Sequence, residues 1–260
     1  MTWSSRHQLA ILAVIALIIF IYAGIRIVRY IHQVSTPTCT DNRHNGDERG
    51  VDCGGSCQKI CIADVKPLRV VWERPIQITD TTAGAVGLIE NPNINYALPL
   101  VSYTVKLYDA AGILANEPFV GETFLEPNTQ TVLYMPPMRV GSIKPVTAHF
   151  ELQPLTDYRT VPQSYNAARL SIVGYTFADQ STHPILTARI SNPTTAVMPA
   201  GTVLAVIYDS QGNIMTASQT ILPSIAAHKE ATVTFTWPVP FVQNPGRVEI
   251  IPRVSPFSFK

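Results

Sequence analysis

The sequence predicts an all-β protein of two tandem immunoglobulin-like antiparallel β-sandwiches, preceded by one N-terminal transmembrane helix and a small cysteine-rich segment. Two observations predict the sandwiches. A signature occurs twice, about a hundred residues apart, as Asn91-Pro92 with Tyr108-Asp109-x-x-Gly112 and as Asn192-Pro193 with Tyr208-Asp209-x-x-Gly212. The 21 prolines are scattered between short apolar runs, which suits turns and edge strands better than long helices. A period this long marks a repeated structural unit, so we expect two copies of one fold.

Composition limits the classes of function. The 260 residues are enough for two ordinary domains. Charged residues make up 14% of the chain, the net charge is +1, and no Lys or Arg cluster stands out, so we expect no nucleic-acid partner. The sequence contains no nucleophile elbow, phosphate-binding loop or dinucleotide fingerprint, and its histidines never fall at metal-ligand spacing. We therefore expect no enzymatic activity.

The first predicted element is a transmembrane signal anchor at residues 9–30, after a tail of residues 1–8. The unbroken apolar run of residues 9–25 carries it. About 17 to 20 residues at ~1.5 Å each cover most of a ~30 Å hydrocarbon core, and Arg26 and Arg29 can snorkel to the interface. After Ala23-Gly24 the chain continues without a good cleavage site, which favours an uncleaved anchor over a signal peptide.

The orientation of this anchor follows from two opposing signals. Arg26 and Arg29 follow the span, whereas Arg6 alone precedes it, and basic residues tend to remain cytoplasmic. Four cysteines immediately after the span favour an oxidising compartment instead. We give the cysteines more weight and expect a single-pass cell-membrane protein whose C-terminal domains are extracytoplasmic.

A cysteine-rich stalk module is predicted at residues 36–63. It has almost no apolar side chains, so either two disulfides or a metal must hold it together. The four cysteines, which allow three pairings, are Cys39, Cys53, Cys57 and Cys61. The Cys-x3-Cys spacing is looser than that of a zinc knuckle, so we expect two disulfides, with zinc as the alternative if this part is cytoplasmic.

The same module contains the partial pattern of a calcium loop. Asp41, Asn45, Asp47 and Asp52 occupy positions 1, 5, 7 and 12 of a twelve-residue loop, with Gly46 at position 6. An arginine stands where a third-position oxygen ligand belongs, and no helices flank the loop. Turn chemistry with solvated acids is the favoured interpretation, so we expect no cofactor here, with bound calcium as the alternative.

Each repeat contains six short runs rich in β-branched and aromatic residues, which predict strands. In the first domain (65–153) they are 68–72, 85–90, 100–108, 119–125, 131–135 and 146–152; in the second (167–260) they are 170–173, 185–191, 202–208, 213–216, 231–237 and 247–252. Residues 154–166, with two prolines, form the predicted linker. This spacing favours two-sheet sandwiches, with an up-and-down barrel as the weaker alternative.

The repeated Tyr-Asp-x-x-Gly segments are predicted to be tight turns at strand ends. Asp accepts hydrogen bonds from the backbone two residues on, and Gly supplies the positive φ that closes the turn. The structural turn residues are therefore Asp109, Gly112, Asp209 and Gly212. Their repetition favours this architectural role over an acid–base pair of Tyr and Asp.

These residues also carry a family resemblance. Residues 105–109 (Val-Lys-Leu-Tyr-Asp), followed by Gly112, resemble the signature of the FxLYD domain, a small β-sandwich of prokaryotic surface proteins. Residues 91–93 (Asn-Pro-Asn) are similar to the same motif in the related water-stress family of late-embryogenesis-abundant domains. The cysteine segment resembles a short motif found beside surface domains of secreted and membrane-anchored microbial proteins. Together the resemblances imply an immunoglobulin-like fold at the cell exterior.

The function expected from all of this is binding, scaffolding or surface assembly by a membrane-anchored extracytoplasmic protein. We expect the partners to be the membrane itself, crossed once, and another protein or a cell-envelope component. The alternatives are a calcium-modulated stalk or adhesion module, and an enzyme with a site between the two domains.

Overall fold

The computed structural model describes residues 3–35, 38–153, 157–161, 165 and 170–259. Contacts between Cα atoms divide the chain into two compact units, Met1–Ala63 and Asp64–Lys260. The second unit is called the β unit below. Its strands pair antiparallel throughout the described part, and the first unit contains an N-terminal helix and disulfide-bonded cysteines. The predicted fold class is therefore confirmed.

The N-terminal helix α1 spans Trp3–Ser35. Within it, Ile11–His32 have a mean hydropathy of 2.8, and their side chains are not buried in the protein. This segment is long and apolar enough to cross a membrane, a property that it shares with signal sequences. The described helix extends past the predicted residues 9–30 at both ends.

The first repeat forms two small antiparallel sheets. Its strands are β1 (Arg69–Thr79), β2 (Thr82–Asn91), β3 (Tyr96–Tyr108), β4 (Phe119–Leu125), β5 (Thr129–Arg139) and β6 (Thr147–Leu152). One sheet has the order β1-β2-β5 and the other the order β4-β3-β6. Strands β1 and β5 continue past the predicted ends at residues 72 and 135, through Pro75 and Pro136-Pro137. Both lie at sheet edges, and a register shift opposite Gly84 accommodates Pro136-Pro137.

A further strand lies in the predicted linker. Strand β7 (Arg159–Thr160) pairs with Tyr96 and Ala97 at the start of β3. Part of the linker is thus built into the first repeat, because its backbone completes hydrogen bonds at the beginning of β3. The linker positions 154–156, 162–164 and 166 lie outside the described residues.

The second repeat has the same topology. Its strands are β8 (Ser171–Ala178), β9 (Ile185–Ser191), β10 (Gly201–Tyr208), β11 (Ile214–Leu222), β12 (Glu230–Thr236) and β13 (Arg247–Arg253). The sheet orders β12-β9-β8 and β11-β10-β13 reproduce those of the first repeat with corresponding strands. The duplication seen in the sequence is therefore a duplication of strand order.

Each repeat has its own core, and a further apolar cluster joins the two repeats. The core of the second repeat includes Val203, Ala205 and Ile207 of β10. The opposite face of β10 supplies Leu204, Val206 and Tyr208 to a cluster that also contains Ile76 and Val86 of the first repeat. Strand β10 is therefore buried on both faces, and the two sequence repeats pack together within one compact unit.

Candidate functional site

The cysteine module is closed by two disulfides, as predicted. Cys39 bonds to Cys57, and Cys53 bonds to Cys61, which selects one of the three pairings that the sequence allowed. A zinc site needs thiolate ligands, and all four sulfurs are in disulfide bonds here. Ile60 is 6% exposed between the cysteines, so the disulfides and one aliphatic side chain form most of the small buried centre.

The acidic side chains of this module accept hydrogen bonds from their own loop. The Asp52 carboxylate accepts from the backbone N–H groups of Asp41 and Asn42, at 2.9 Å each. Asp41 accepts from the Asn45 side chain at 2.9 Å, whereas Asp47 accepts from Ser56 on the other side of the loop. Hydrogen bonds thus link Asp41 to Asn45 and Asp52, whereas Asp47 bonds to Ser56. Calcium binding stays a prediction, which calorimetric titration of the full chain with calcium tests.

Glu48 is a residue of the module that sequence reasoning did not single out. It is 6% exposed, and its carboxylate accepts from the backbone N–H groups of Asn45 at 3.2 Å and Asp52 at 3.3 Å. A buried carboxylate needs such donors because desolvation otherwise disfavours its charge. The burial of Glu48 could not be predicted from the sequence, because a glutamate among polar residues is expected to be exposed to solvent.

In the β unit, the two predicted turns have the same geometry. The Asp109 carboxylate accepts from the N–H groups of Ala111 at 2.9 Å and Ile113 at 2.8 Å, and Gly112 has a φ of 78°. The Asp209 carboxylate accepts from the equivalent N–H groups of Gln211 and Asn213 at 2.8 Å each, and Gly212 has a φ of 84°. Both aspartates therefore hold backbone turns.

The repeated asparagines of the Asn-Pro motif are fully buried hydrogen-bond hubs. Asn91 donates to the carbonyls of Tyr96 and Glu126 at 2.8 Å each and accepts from the backbone N–H of Asn93 at 3.1 Å. Asn192 makes the corresponding set of bonds in the second repeat. The motif was visible in the sequence, but its partners are separated from it by up to 35 residues. The sequence therefore revealed the repeated motif but not the hydrogen bonds that its asparagines make.

The stability of the second turn is expected to depend on pH through Asp209. Hydrogen bonds from Asn213 are the main cause that lowers the pKa of Asp209 below its ordinary 3.8. A carboxyl group whose pKa is lower in the folded than in the unfolded protein stabilises the fold at pH values above its unfolded-state pKa. That stabilisation is lost as the pH falls through the folded-state pKa. Urea unfolding of the full chain between pH 2.5 and 6 checks this. Asp209→Asn should flatten the decline below about pH 4, and the exposed Asp80→Asn should not.

A cleft lies between the first and last strands of each repeat. In the first repeat it has a volume of about 440 Å³ beside β1 and β6, and its lining includes Glu73, Tyr108 and His149. In the second repeat it has a volume of about 220 Å³ beside β8 and β13, and its lining includes Tyr175 and Phe177. The two clefts occupy equivalent places but differ in their side chains: the first contains the Glu73 carboxylate, whereas the second contains Tyr175 and Phe177 together with Arg247.

One pair of equivalent positions shows how the clefts differ. Glu73 in β1 and Tyr175 in β8 are equivalent positions. Each lies opposite a residue, Gly87 or Ala188, that is four residues before the asparagine of its Asn-Pro motif. The Glu73 carboxylate accepts from the backbone N–H of Phe150 in β6 at 2.7 Å and lies 3.1 Å from His149 Nδ1. The Tyr175 ring instead contacts Phe177, with ring centroids 6.2 Å apart. In the first repeat a side chain of β1 thus caps the backbone of β6, and Tyr175 has no carboxylate with which to cap β13.

Strand β8 is an edge strand with few of the usual protections. Its residues, Ser171–Ala178, include no charged residue and no proline, although a register shift at Val173 interrupts the start. Tyr175 is 48% exposed and Val173 is 45% exposed. Among the described residues, β8 pairs with β9 on one side and with no strand on the other, so the outer edge of β8 carries unpaired backbone groups. Such an edge is a template for another strand.

Comparisons with known proteins show no family for this chain. No family model matches the sequence, and no curated protein matches it. Among solved structures, red sea bream transglutaminase is similar at 9% identity over 72% of this chain and 29% of its own length, with a TM-score of 0.23. The coconut allergen cocosin is similar at 8% identity over 68% of this chain and 84% of its own length, with a TM-score of 0.10. The chain thus spans less than a third of the transglutaminase.

Proposed function

We propose that this chain is a membrane-anchored, extracytoplasmic binding protein without catalytic activity, whose second repeat takes an extended strand of a partner protein beside β8. The observation that carries the proposal is the open edge of β8 next to a cleft that contains Tyr175 and Phe177. The FxLYD-type resemblance of both repeats and their immunoglobulin-like fold agree with a surface protein of this kind, and they remain part of the proposal.

The location rests on the order of α1 and the cysteine module in the chain. A helix able to cross a membrane is followed within a few residues by two disulfides. Disulfides persist in oxidising compartments and are rare in the cytoplasm. An uncleaved anchor with the module and the β unit outside satisfies both features, although Arg26 and Arg29 follow the span.

The binding mode rests on the comparison between the two repeats. A strand that adds to a sheet edge gains main-chain hydrogen bonds for affinity, and pockets for alternate side chains give specificity. The cleft beside β8 offers Tyr175 and Phe177 as such a pocket. In the first repeat the same place is bridged by Glu73, which already satisfies the backbone N–H of Phe150. We therefore assign partner binding to the second repeat.

The proposed topology is tested by protease protection in cells that express the full chain. Protease added outside intact cells should digest the β unit, and a membrane-impermeant thiol reagent should label the four cysteines only after external reduction. A β unit that is digested only after the cells are lysed would disprove the extracytoplasmic location. A β unit released without α1 would show that α1 is a cleaved signal sequence.

The proposed binding mode is tested with a library of random ten-residue peptides presented to the full chain in nanodiscs. The selected peptides should alternate apolar and polar residues, and their binding should slow hydrogen exchange at the amides of β8. Tyr175→Glu copies the first repeat and should reduce binding about tenfold or more, because an acidic side chain would compete with the peptide for the edge. Glu73→Gln is the matched control and should leave binding unchanged. Peptides that protect other strands, or equal binding by Tyr175→Glu, would contradict the proposal.

A further inference from the structure

One charged side chain, Arg247 of β13, lies at the cleft beside β8. Among the described residues that line this cleft, Arg247 is the one that carries a charge. Its side chain is 59% exposed, so a partner that enters the cleft from the solvent can reach the guanidinium. Arg247 shares the cleft with Tyr175 and Phe177 of β8. The cleft therefore combines a cation with aromatic side chains.

The ring of Tyr208 holds this guanidinium in place. The guanidinium carbon of Arg247 lies 3.8 Å from the centroid of the Tyr208 ring, and Tyr208 is a buried residue of the central strand β10. A planar guanidinium that stacks on a fixed ring loses less conformational freedom on binding than a mobile side chain does. Arg247 is therefore preorganised to bind a group in the cleft.

The acidic neighbour of Arg247 on the same strand, Glu249, makes a long contact with it. Arg247 Nη1 lies 3.5 Å from Glu249 Oε2, which is longer than an ordinary N–H···O hydrogen bond. The same oxygen of Glu249 accepts a hydrogen bond from the Tyr208 hydroxyl at 2.8 Å. Because a guanidinium has five N–H donors, this one long contact leaves donors for a second carboxylate.

The equivalent cleft of the first repeat contains an acid that belongs to the chain itself. There Glu73 of β1 lies 3.1 Å from His149 Nδ1 of β6, so the first strand supplies a carboxylate and the last strand a basic group. In the second repeat the last strand supplies Arg247, whereas β8 has no charged residue. The first repeat forms the same strand order with Thr147 at the position that corresponds to Arg247, so the shared fold does not require the arginine.

On the basis of the proposed function, we infer that the partner strand carries an aspartate or glutamate side chain that binds Arg247. This carboxylate supplies to the second cleft the acid that Glu73 supplies to the first. The guanidinium can donate two parallel hydrogen bonds to it, which makes the contact specific for a carboxylate. An apolar side chain on the same face of the partner strand contacts Tyr175 and Phe177. The partner is thus recognised by its acidic side chain as well as by its backbone.

The random ten-residue peptides that the full chain in nanodiscs selects test this inference. Among the selected peptides, aspartate and glutamate should be enriched about threefold or more over the unselected library, because the cleft presents a cation. The enrichment should disappear when Arg247→Gln is used for the selection. Arg247→Lys keeps the charge and should restore it. Arg69→Gln is the matched control, since Arg69 is an exposed, ion-paired arginine of the first repeat, and it should select the same acidic peptides as the original chain.

A double-mutant cycle isolates the contact between the two side chains. The most tightly bound acidic peptide is compared with the same peptide in which the matching amide replaces the acid. The amide should weaken binding to the original chain by about fivefold, the equivalent of one partly exposed charge pair. It should not weaken binding to Arg247→Gln. Isothermal titration calorimetry with both peptides measures the four affinities.

The outcomes separate this inference from the proposed function. Peptides that slow hydrogen exchange at β8 but show no enrichment of acids would overturn the inference and leave strand binding at β8 in place. Equal weakening by the amide in the original chain and in Arg247→Gln would also overturn it. If no peptide slows exchange at β8, both the inference and the proposed binding mode are wrong. The amide peptide is tested on the unaltered chain, so this result does not depend on the stability of a variant.

Discussion

Replacement of Asn192 by alanine is expected to destabilise the β unit by about 3 kcal/mol, because several buried backbone groups lose their partner at once. The side-chain amide donates to the carbonyls of Ala196 at 2.8 Å and Ile225 at 3.0 Å, and its oxygen accepts from the N–H of Thr194 at 3.1 Å. Asn192 is 0% exposed, so water cannot replace these bonds without opening the loops. Asn91→Ala should have a similar effect, since Asn91 bridges the equivalent loops.

Differential scanning calorimetry of the full chain measures this effect. For a unit of about 200 residues, 1 kcal/mol corresponds to roughly 2–4 °C, so each variant should lower the midpoint by about 6–12 °C. Asn95→Ala, at an exposed position near Asn91, is the matched control and should shift the midpoint by less than about 2 °C. A shift of Asn192→Ala as small as that of the control would show that the hub contributes little to stability.

Removal of one disulfide is expected to unfold the cysteine module. The double substitution of Cys39 and Cys57 by serine deletes a cross-link that closes 18 residues, and such a loss typically costs about 2–5 kcal/mol in a small domain. The described part of the module buries few apolar side chains besides Ile60 and the cysteines, so little else opposes unfolding. The β unit contains no cysteine and should keep its unfolding midpoint.

Limited trypsin digestion followed by mass spectrometry measures the state of the module. Cleavage after Arg49 should become at least tenfold faster in the double variant, because the opened loop presents an extended backbone to the protease. Gln58→Ala, at an exposed position of the same module, should be cleaved at the original rate. Unchanged cleavage of the double variant would show that hydrogen bonds such as those of Asp52 and Glu48 suffice to hold the loop.

Local sequence patterns predicted most of the strands. Strands β4 and β9 have the predicted bounds, and in β3 the buried side chains of Tyr103, Val105 and Leu107 alternate with half-buried ones, as the apolar and polar residues of the sequence do. These features depend on neighbours along the chain, so the sequence carries them directly. The predicted bounds of β1 and β5 were too short, because the apolar runs end before Glu73 and Pro136 whereas an edge strand tolerates the charged residues and prolines that follow.

The packing of one repeat on the other was less accessible from the sequence. Strand β10 is apolar on both faces, from Val203 to Tyr208, whereas polar and apolar residues alternate in its counterpart β3. A continuous apolar run is typical of a strand that is covered on both sides, but it does not say which sheet provides the cover. The structure supplies Ile76 and Val86 of the first repeat as that cover.

The sequence by itself determined the class of the protein: an apolar helix, a cross-linked cysteine segment, and two copies of a β fold with turns at Asp109 and Asp209. Each depends on the composition, periodicity or turn chemistry of adjacent residues. The tertiary structure decided the disulfide pairing, the role of the asparagine hubs, the contrast between Glu73 and Tyr175, and the position of Arg247 at the cleft beside β8. These depend on groups that are distant in the chain, and no local pattern records which distant group a side chain will meet after folding.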